Sequence, residues 1–301
     1  MSTQSGFFIS PNADFDYPQP SLERLDFQGS SLMEFYRSRS GGRSRLFKVL
    51  REEYRGNPLY ESILRKEFEI GYSLAHPGIC EVYSFRNLDK LGNAIEMEWV
   101  DGMDLAKAVR SGLVPKKNSG RILCQICDAL DYMHGKQVIH RDLKPENILI
   151  TMNGAFVKII DFGFSDSGTH DIGKTPAGTR HWASPELIEG KTVGPTSDLY
   201  SLGMIMKELF PGQYSQIADK CTMADSGSRY FSARELKEAI ISSDKKRTRI
   251  REITLALILA ISVAAVIILS SHHSESEVDR IFHEAESLFE QHLGINPSSQ
   301  E

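Results

Sequence analysis

The sequence predicts an α+β fold with a strand-rich first part, a mainly helical second part and one hydrophobic helix near the C-terminus. Short apolar runs separated by glycine turns, such as 41–42, fill the first hundred residues. From residue 118 to 134, apolar side chains recur at spacings of three and four, which indicates an amphipathic helix. An uncharged apolar run at 253–269 is long enough to approach the thickness of a bilayer core.

Composition restricts the class of protein. The chain has 301 residues, of which 41% are hydrophobic and 25% charged, so it can bury a sizeable core. A net charge of -5 argues against nucleic acid as the main partner. Four scattered cysteines do not make a disulfide framework, and Cys124 and Cys127 lie within the helical pattern, where core thiols are expected rather than a zinc site. We therefore expect a domain folded in a reducing compartment.

One stretch, residues 138–149, concentrates charged and amide side chains between two apolar runs. A second strand-like run leads from it to Asp161. An apolar strand, a charged loop and another strand form a hairpin that can present Asp142, Asn147 and Asp161 at one end. Such a set is typical of sites that act on a magnesium-bound phosphate. One carboxylate accepts a proton, and the other carboxylate and the amide hold the metal.

Two motifs in this region carry a family resemblance. His-Arg-Asp-Leu-Lys-Pro-Glu-Asn at 140–147 resembles the catalytic loop of eukaryotic-type protein kinases, in the serine/threonine form, and Asp-Phe-Gly at 161–163 resembles their metal-binding triplet. The resemblance implies a two-lobed protein-kinase-like fold over residues 21–242. Its small β-rich N-lobe would cover 21–98 and its mainly helical C-lobe 103–242.

By this resemblance, the chain transfers the γ-phosphoryl group of ATP to serine or threonine hydroxyls of proteins. Asp142 would orient the hydroxyl and accept its proton, and Lys144 would lie against the transferring phosphate. Asn147 and Asp161 would hold Mg²⁺, with Mn²⁺ as an alternative. Positioning and charge stabilisation supply the catalysis.

The nucleotide-binding residues match the family less completely. Lys48, in a strand-like run, matches the lysine that neutralises the α- and β-phosphates, and Glu67 on the following helix is its expected partner. Of the three glycines that usually cover the phosphates only Gly29 is present, with Phe27 and Leu32 at the other two positions. Glycine allows backbone N–H groups to approach a phosphate closely, so this departure bears on ATP binding.

The adenine side of the expected pocket shows a second departure. Leu46 stands where the family prefers alanine, and we expect it to narrow the adenine slot or to shift the base. Met97 resembles the gatekeeper, and the backbone from Glu98 to Val100 resembles the hinge that meets the adenine edge. Asp104 matches either a ribose contact or the N-cap of the next helix, two roles that are compatible.

The resemblance also implies regulation and a structural framework. Arg141 beside Asp142 implies control by phosphorylation of the activation segment, for which Thr175 is the best acceptor; we expect autophosphorylation. Thr179 is expected to contact Asp142 rather than to accept phosphate. The family's ion pair and its brace of the catalytic loop are expected at Glu186, Asp198 and Arg229.

The ends of the chain predict a membrane protein. Residues 1–20 read as a flexible leader. A basic segment at 243–252 precedes the predicted transmembrane helix, 253–271, and a short tail, 272–301, follows it. Because lysine and arginine concentrate on the N-terminal side, we expect a single-pass protein with a cytoplasmic kinase domain. An apolar stripe at 275–295 suggests a homodimer or another partner contact.

Two other functions are compatible with the same fold. A membrane-tethered pseudokinase, which binds partners with weak or no turnover, is suggested by the incomplete glycine loop and by Leu46. The joint presence of Lys48, Asp142, Asn147 and Asp161 favours an active enzyme over it. A kinase-fold enzyme for small molecules is the third candidate, and the Gly-Thr and Ser-Pro-Glu features of residues 178–186 favour protein substrates instead.

Overall fold

The computed structural model describes residues 21–26, 32–162 and 180–293 of the chain. The chain divides into two units after Ile241. The first unit contains two sheets and most of the helices, and the second consists of the later part of the C-terminal helix.

A five-stranded antiparallel sheet forms the N-terminal part, in the order β1-β2-β3-β5-β4. Gly41 and Gly42 have positive φ angles of 56° and 75°, which the tight turn between β2 and β3 requires and which glycine adopts without strain. This is the turn that the sequence predicts. The strands are β1 Leu22–Leu25, β2 Met33–Ser40, β3 Arg43–Leu50, β4 Val82–Leu88 and β5 Gly92–Glu98.

One helix, α1 (Pro58–Tyr72), packs against this sheet. Proline at its first position and the side chain of Asn57, which accepts a hydrogen bond from the Leu59 N–H at 3.0 Å, define its start. The buried face of α1 carries Leu64 and Glu67 three residues apart, so the helix packing also directs a carboxylate into the protein.

The C-terminal part of the first unit is mainly helical around one large apolar core. A small antiparallel sheet in the order β6-β7-β8 lies at its top. The strands are β6 Gly102–Asp104, β7 Ile148–Thr151 and β8 Val157–Ile159. The helices are α2 Leu105–Arg110, α3 Ser119–Gly135, α4 Pro185–Ile188, α5 Pro195–Leu209 and α6 Ser215–Cys221.

The centre of this core is α3, which begins and ends within one residue of the predicted helix. Ile122, Ile126, Leu130 and Met133 are fully buried along one face, at the spacing read from the sequence. Only five residues, 210–214, connect α5 to α6, and the two helices pack directly on each other. A side chain at Gly203 would come within 2.4 Å of Cys221 Cβ, so the close approach requires glycine.

The last helix, α7 (Ala233–Leu293), begins in the first unit and continues through the second. Its part Ala233–Ser270 contains a segment that is long and apolar enough to cross a membrane, judged by length and composition alone. The apolar side chains of that segment, such as Leu259 and Ile261, are exposed.

Candidate active site

The catalytic-loop motif lies between α3 and β7 and is tied together by its own side chains. Lys144 Nζ donates to Asp142 Oδ2 at 2.8 Å. The amide nitrogen of Asn147 donates to the backbone oxygen of Asp142 at 2.9 Å and to its Oδ2 at 3.0 Å. Asp142 and Asn147 are buried, so these bonds hold the carboxylate in one orientation. The structure therefore brings together the three residues that the sequence predicts for this loop.

A buried carboxylate on α5 fixes the backbone of this loop. Asp198 accepts hydrogen bonds from the N–H groups of His140 and Arg141, both at 2.9 Å. His134 Nε2 lies 2.8 Å from the same carboxylate. Arg141 has a φ of +65°, a conformation that is uncommon for a residue with a side chain, and these bonds support it. Asp198 thus braces the loop as predicted, whereas its contact with His134 was not expected.

Burial alone would raise the pKa of Asp198. The hydrogen bond and the charge of His134, together with the backbone N–H of His140, outweigh burial and lower that pKa below its ordinary value. The brace is therefore an ionised carboxylate.

A second buried cluster lies below the five-stranded sheet. Lys48 Nζ on β3 is 2.5 Å from Glu67 Oε1 on α1 and 3.1 Å from Asp161 Oδ1, which follows β8. The family resemblance implies the pair Lys48–Glu67, and the structure brings these two residues together. Glu69, on the same helix, is exposed. Lys48 thus links α1, the sheet and Asp161.

Opposing effects set the charges in this cluster. Burial lowers the pKa of Lys48, but the carboxylates of Asp161 and Glu67 outweigh it, so the pKa lies above its ordinary value and the side chain is cationic. Burial raises the pKa of Glu67, which the charge of Lys48 only partly offsets. Among the described residues, Glu67 Oε2 is buried without a hydrogen-bond partner. The negative charge of this carboxylate is therefore stabilised by Lys48.

The chemistry of Asn147 and Asp161 fits a hard divalent cation. Because the amide nitrogen of Asn147 donates to Asp142, its amide oxygen is the atom of this side chain that could coordinate a cation. The side chain of Asp161 is one-third exposed, and its backbone has a φ of +69°. Mg²⁺ prefers a few carboxylate and carbonyl oxygens together with phosphate and water, and this donor set meets that preference.

Bulky side chains surround the expected adenine slot. Leu46 lies opposite Met97 in the register of β3 and β5. Leu46, Phe35 and Val100 all pack against one apolar cluster that includes Met97. The N–H of Glu98 donates to the Glu81 carbonyl at 2.8 Å, so its own carbonyl oxygen is the hinge atom at this residue that can meet an adenine edge.

The remaining predicted residues divide into two groups. Glu186 and Arg229 form a bidentate ion pair with distances of 2.7 and 2.8 Å, as the sequence predicts. Asp104 accepts from the Lys107 N–H at 2.8 Å and is a helix N-cap. Gly29, Thr175 and Thr179 lie outside the described residues.

Sequence reasoning missed three features around the site. His134 is one; its side chain, at the end of an apolar helix, carries no motif. The second is a cation–π contact between Arg37 on β2 and Trp99 in the hinge, with 4.1 Å from the guanidinium to the ring centroid. The third is the close packing of Phe162 beside Gly71 of α1, where a Cβ would lie 3.2 Å from the ring. None of these contacts has a local sequence signal.

A small sheet over a helical core, with a Lys–Glu–Asp cluster and an Asp–Lys–Asn loop between them, is the architecture of a bilobal phosphotransferase. Solved structures show the same fold. The kinase domain of Mycobacterium tuberculosis PknI is 22% identical, with a TM-score of 0.58, and the match covers 75% of this chain and 97% of that domain.

The model of the family described as the protein kinase domain matches residues 36–222. The chain belongs to the protein kinase family, as its motifs predict. The serine/threonine-protein kinase PknB of Mycolicibacterium smegmatis is 35% identical over 207 residues, which cover 65% of this chain and 33% of the relative. PknB of Mycobacterium tuberculosis is 34% identical over 201 residues, or 64% and 32% of the two chains. The chain thus spans about a third of the length of these relatives.

Proposed function

We propose that this chain is a membrane-anchored protein kinase that transfers the γ-phosphoryl group of ATP to serine and threonine hydroxyls of proteins. The observation that carries the proposal is the contact of Lys48 with both Glu67 and Asp161, at 2.5 and 3.1 Å. These three groups come from a strand, a helix and a loop that are distant in the sequence. Because a buried ion pair contributes little net stability by itself, this arrangement favours a role in binding or catalysis.

The residues of the catalytic loop would carry the chemical step. Asp142 accepts the proton of the substrate hydroxyl while the hydroxyl oxygen bonds to the γ-phosphorus. The bond from that phosphorus to the β–γ bridging oxygen breaks, and ADP leaves with this oxygen. Lys144, bonded to Asp142 at 2.8 Å, is placed to offset negative charge on the transferring group.

Asn147 and Asp161 would hold the divalent cation, and Lys48 would bind the phosphates that are not transferred. A bound Mg²⁺ supplies neutralisation of charge on the phosphates. The ion pair with Glu67 holds the Lys48 ammonium in one position, where it could bind a phosphate oxygen of the nucleotide.

The membrane anchor is proposed from residues 253–271 of α7, which are free of charge and exposed where described. Lys245, Lys246, Arg247, Arg249 and Arg251 precede this segment, and Arg280 is the single lysine or arginine after it in the sequence. By the positive-inside rule, the kinase domain is cytoplasmic and residues 272–301 lie on the other side. The relatives named PknB are described as serine/threonine kinases, which supports the hydroxyl acceptor.

Phosphate incorporation from radiolabelled ATP, with mapping of the acceptor sites, tests the proposal. Wild type should label itself or a general protein substrate in the presence of Mg²⁺, and Asp142→Asn should lose more than 10²-fold in rate. Asp89→Asn, an exposed turn residue of the sheet, is the matched control and should keep wild-type activity. Thermal unfolding verifies that all three chains fold.

A pseudokinase is the second candidate, and the bulky side chains of Leu46 and Phe35 beside the hinge favour it. In that case neither wild type nor Asp142→Asn would incorporate phosphate, although both would fold. Equal labelling of the two chains would point to a contaminating kinase and would also exclude our assignment of Asp142.

A further inference from the structure

The first turns of α7 show at which end of the kinase domain the chain leaves it. Arg234 Nη2 contacts Asp131 Oδ2 at 3.0 Å, and Lys237 Nζ contacts Asp128 Oδ1 at 2.6 Å. As residue numbers rise along α7, their partners fall along α3, so the two helices run antiparallel. The first unit therefore ends, at Ile241, toward the N-terminal turns of α3.

A basic surface lies at that same end of α3. Lys116 and Lys117 form the 3₁₀ turn just before the helix, and both are exposed. Arg121, in the first turn of α3, donates to the carbonyl oxygens of Gly154 and Ala155 at 3.2 Å. This contact holds the turn between β7 and β8 against the first turn of α3, which directly follows the 3₁₀ turn with the two lysines.

That turn carries two large apolar side chains that are exposed. Met152 is 52% exposed and Phe156 is 57% exposed, which is unusual for residues of an otherwise ordered turn. The Phe156 ring packs on the backbone of Gly154, where a Cβ would come within 2.4 Å of it. We name Lys116, Lys117, Met152 and Phe156 the α3-end patch.

Cations beside exposed aromatic and apolar side chains are typical of protein surfaces that rest on a bilayer interface. We propose that the α3-end patch binds the anionic headgroups of the membrane that anchors the chain, with Phe156 and Met152 inserted at the level of the headgroups. The inference rests on the membrane anchoring proposed above. It adds a second, reversible contact with the same membrane.

The length of the connecting segment supports this partner over a soluble one. Eleven residues, 242–252, separate the first unit from the predicted span. They form part of α7, in which eleven residues rise about 17 Å along the helix axis. The end of the domain from which the chain leaves is thus held close to lipid, at a high effective concentration, and this is the end that carries the patch. Docking would limit the orientations from which the active site meets its substrates.

Each lysine near an anionic surface contributes about fivefold to binding. Replacing both with glutamine should therefore lower the ratio of docked to undocked domains about 25-fold. Raising the salt concentration should have the same direction of effect, because the attraction is screened.

The test uses the full chain in nanodiscs of phosphatidylcholine alone or with anionic phosphatidylglycerol. A dye on Asn153→Cys, within the turn of the patch, reports contact with a lipid-borne quencher. A dye on Glu53→Cys, exposed in the N-terminal part, is the matched probe. The unsubstituted chain corrects for labelling of the native cysteines. We expect quenching at residue 153 to exceed that at residue 53 severalfold, in anionic nanodiscs only.

Lys116→Gln/Lys117→Gln should abolish the excess quenching, and Arg39→Gln/Arg43→Gln, with the same change of charge on the β2–β3 hairpin, should leave it intact. Equal quenching of the two dyes in anionic nanodiscs, or loss of the excess in the hairpin variant alone, would overturn the inference. Failure of the chain to stay in the nanodisc after alkaline washing would instead reject the membrane anchor. Kinase activity, measured separately, does not decide either result.

Discussion

Replacing Asp198 with asparagine should uncouple the catalytic loop from the helical core. The carboxylate is fully buried and accepts three hydrogen bonds, two from consecutive backbone N–H groups of His140 and Arg141 and one from His134. Asparagine has nearly the same shape but only one acceptor oxygen. The substitution therefore removes charge and one acceptor without creating a cavity.

The expected cost follows from these contacts. With its oxygen at the position of Oδ2, asparagine keeps the bonds from His140 and His134, while its NH₂ group faces the N–H of Arg141. One buried N–H without an acceptor costs about 1–3 kcal/mol, and the two remaining bonds lose the assistance of a charge, about 1 kcal/mol each. The sum is about 3–5 kcal/mol, which corresponds to a fall of about 10–15 °C in Tm for a domain of this size.

Activity should fall as well, since Asp142 is the residue after Arg141. A displacement of the loop by about 1 Å would reduce kcat about 10²-fold. Denaturant unfolding and steady-state kinetics of Asp198→Asn measure the two effects, with Asp219→Asn as control, because Asp219 forms an exposed pair with Lys207. The pKa of Asp198 is lowered, so its contribution is complete above about pH 4, and the difference from wild type should shrink as the pH falls below that value. A loss of stability below about 1 kcal/mol, together with an unchanged kcat, would refute the reasoning.

Three further substitutions test the rest of the site. Burial opposes ionisation of Glu186, but its hydrogen bonds, led by those from Arg229, lower its pKa from 4.5 to about 2. Glu186→Gln should therefore lower the free energy of unfolding, measured with denaturant, by about 2 kcal/mol above pH 5, allowing for solvent screening. The difference from wild type should vanish as the pH falls from about 4.5 to 2. Lys48→Met should abolish phosphate transfer and should destabilise the chain by about 3 kcal/mol at pH 8, where the buried Glu67 carboxylate loses its cation. The loss should be smaller at pH 5, because burial raises the pKa of Glu67 and its carboxyl group is protonated there. A pH-independent effect would contradict this. Leu46→Ala should lower the KM for ATP about threefold to tenfold by widening the adenine slot, and an unchanged KM would show that Leu46 does not limit it.

The parts of the site that could be predicted from the sequence are those with local or ordered signals. Asp142 and Asn147 lie in one loop, five residues apart, so a motif suffices to place them together. Lys48 and Asp161 are 113 residues apart, and only the order of family motifs connects them. The positive φ angles of Arg141 and Asp161 could not be predicted, because the backbone there is set by distant acceptors such as Asp198 and not by residue preference.

The fold followed the pattern of apolar residues closely where burial is one-sided, as in α3. The packing of one element against another was harder to predict from the sequence. Leu46 was expected to narrow the adenine slot, but its neighbours Phe35 and Val100 come from a strand and a hinge whose positions depend on the completed sheet. The contact of Arg37 with Trp99 likewise requires β2 to lie above the hinge. Such contacts depend on tertiary structure, and the local pattern of residues in a single sequence does not predict them.

The two buried clusters of the site are connected through Phe162. Its ring is 6.2 Å from that of His140, whose backbone is bonded to Asp198, and it lies against Gly71 of α1, one turn after Glu67. Because Phe162 follows Asp161 directly, a displacement of its ring would move the carboxylate away from Lys48 and free α1 to shift at the same time. The Lys48–Glu67 pair and the position of Asp161 are thus linked through the packing of Phe162 on α1. The charges of the site assemble together because a buried aromatic ring, rather than their mutual attraction alone, sets the distance between the helix and the loop.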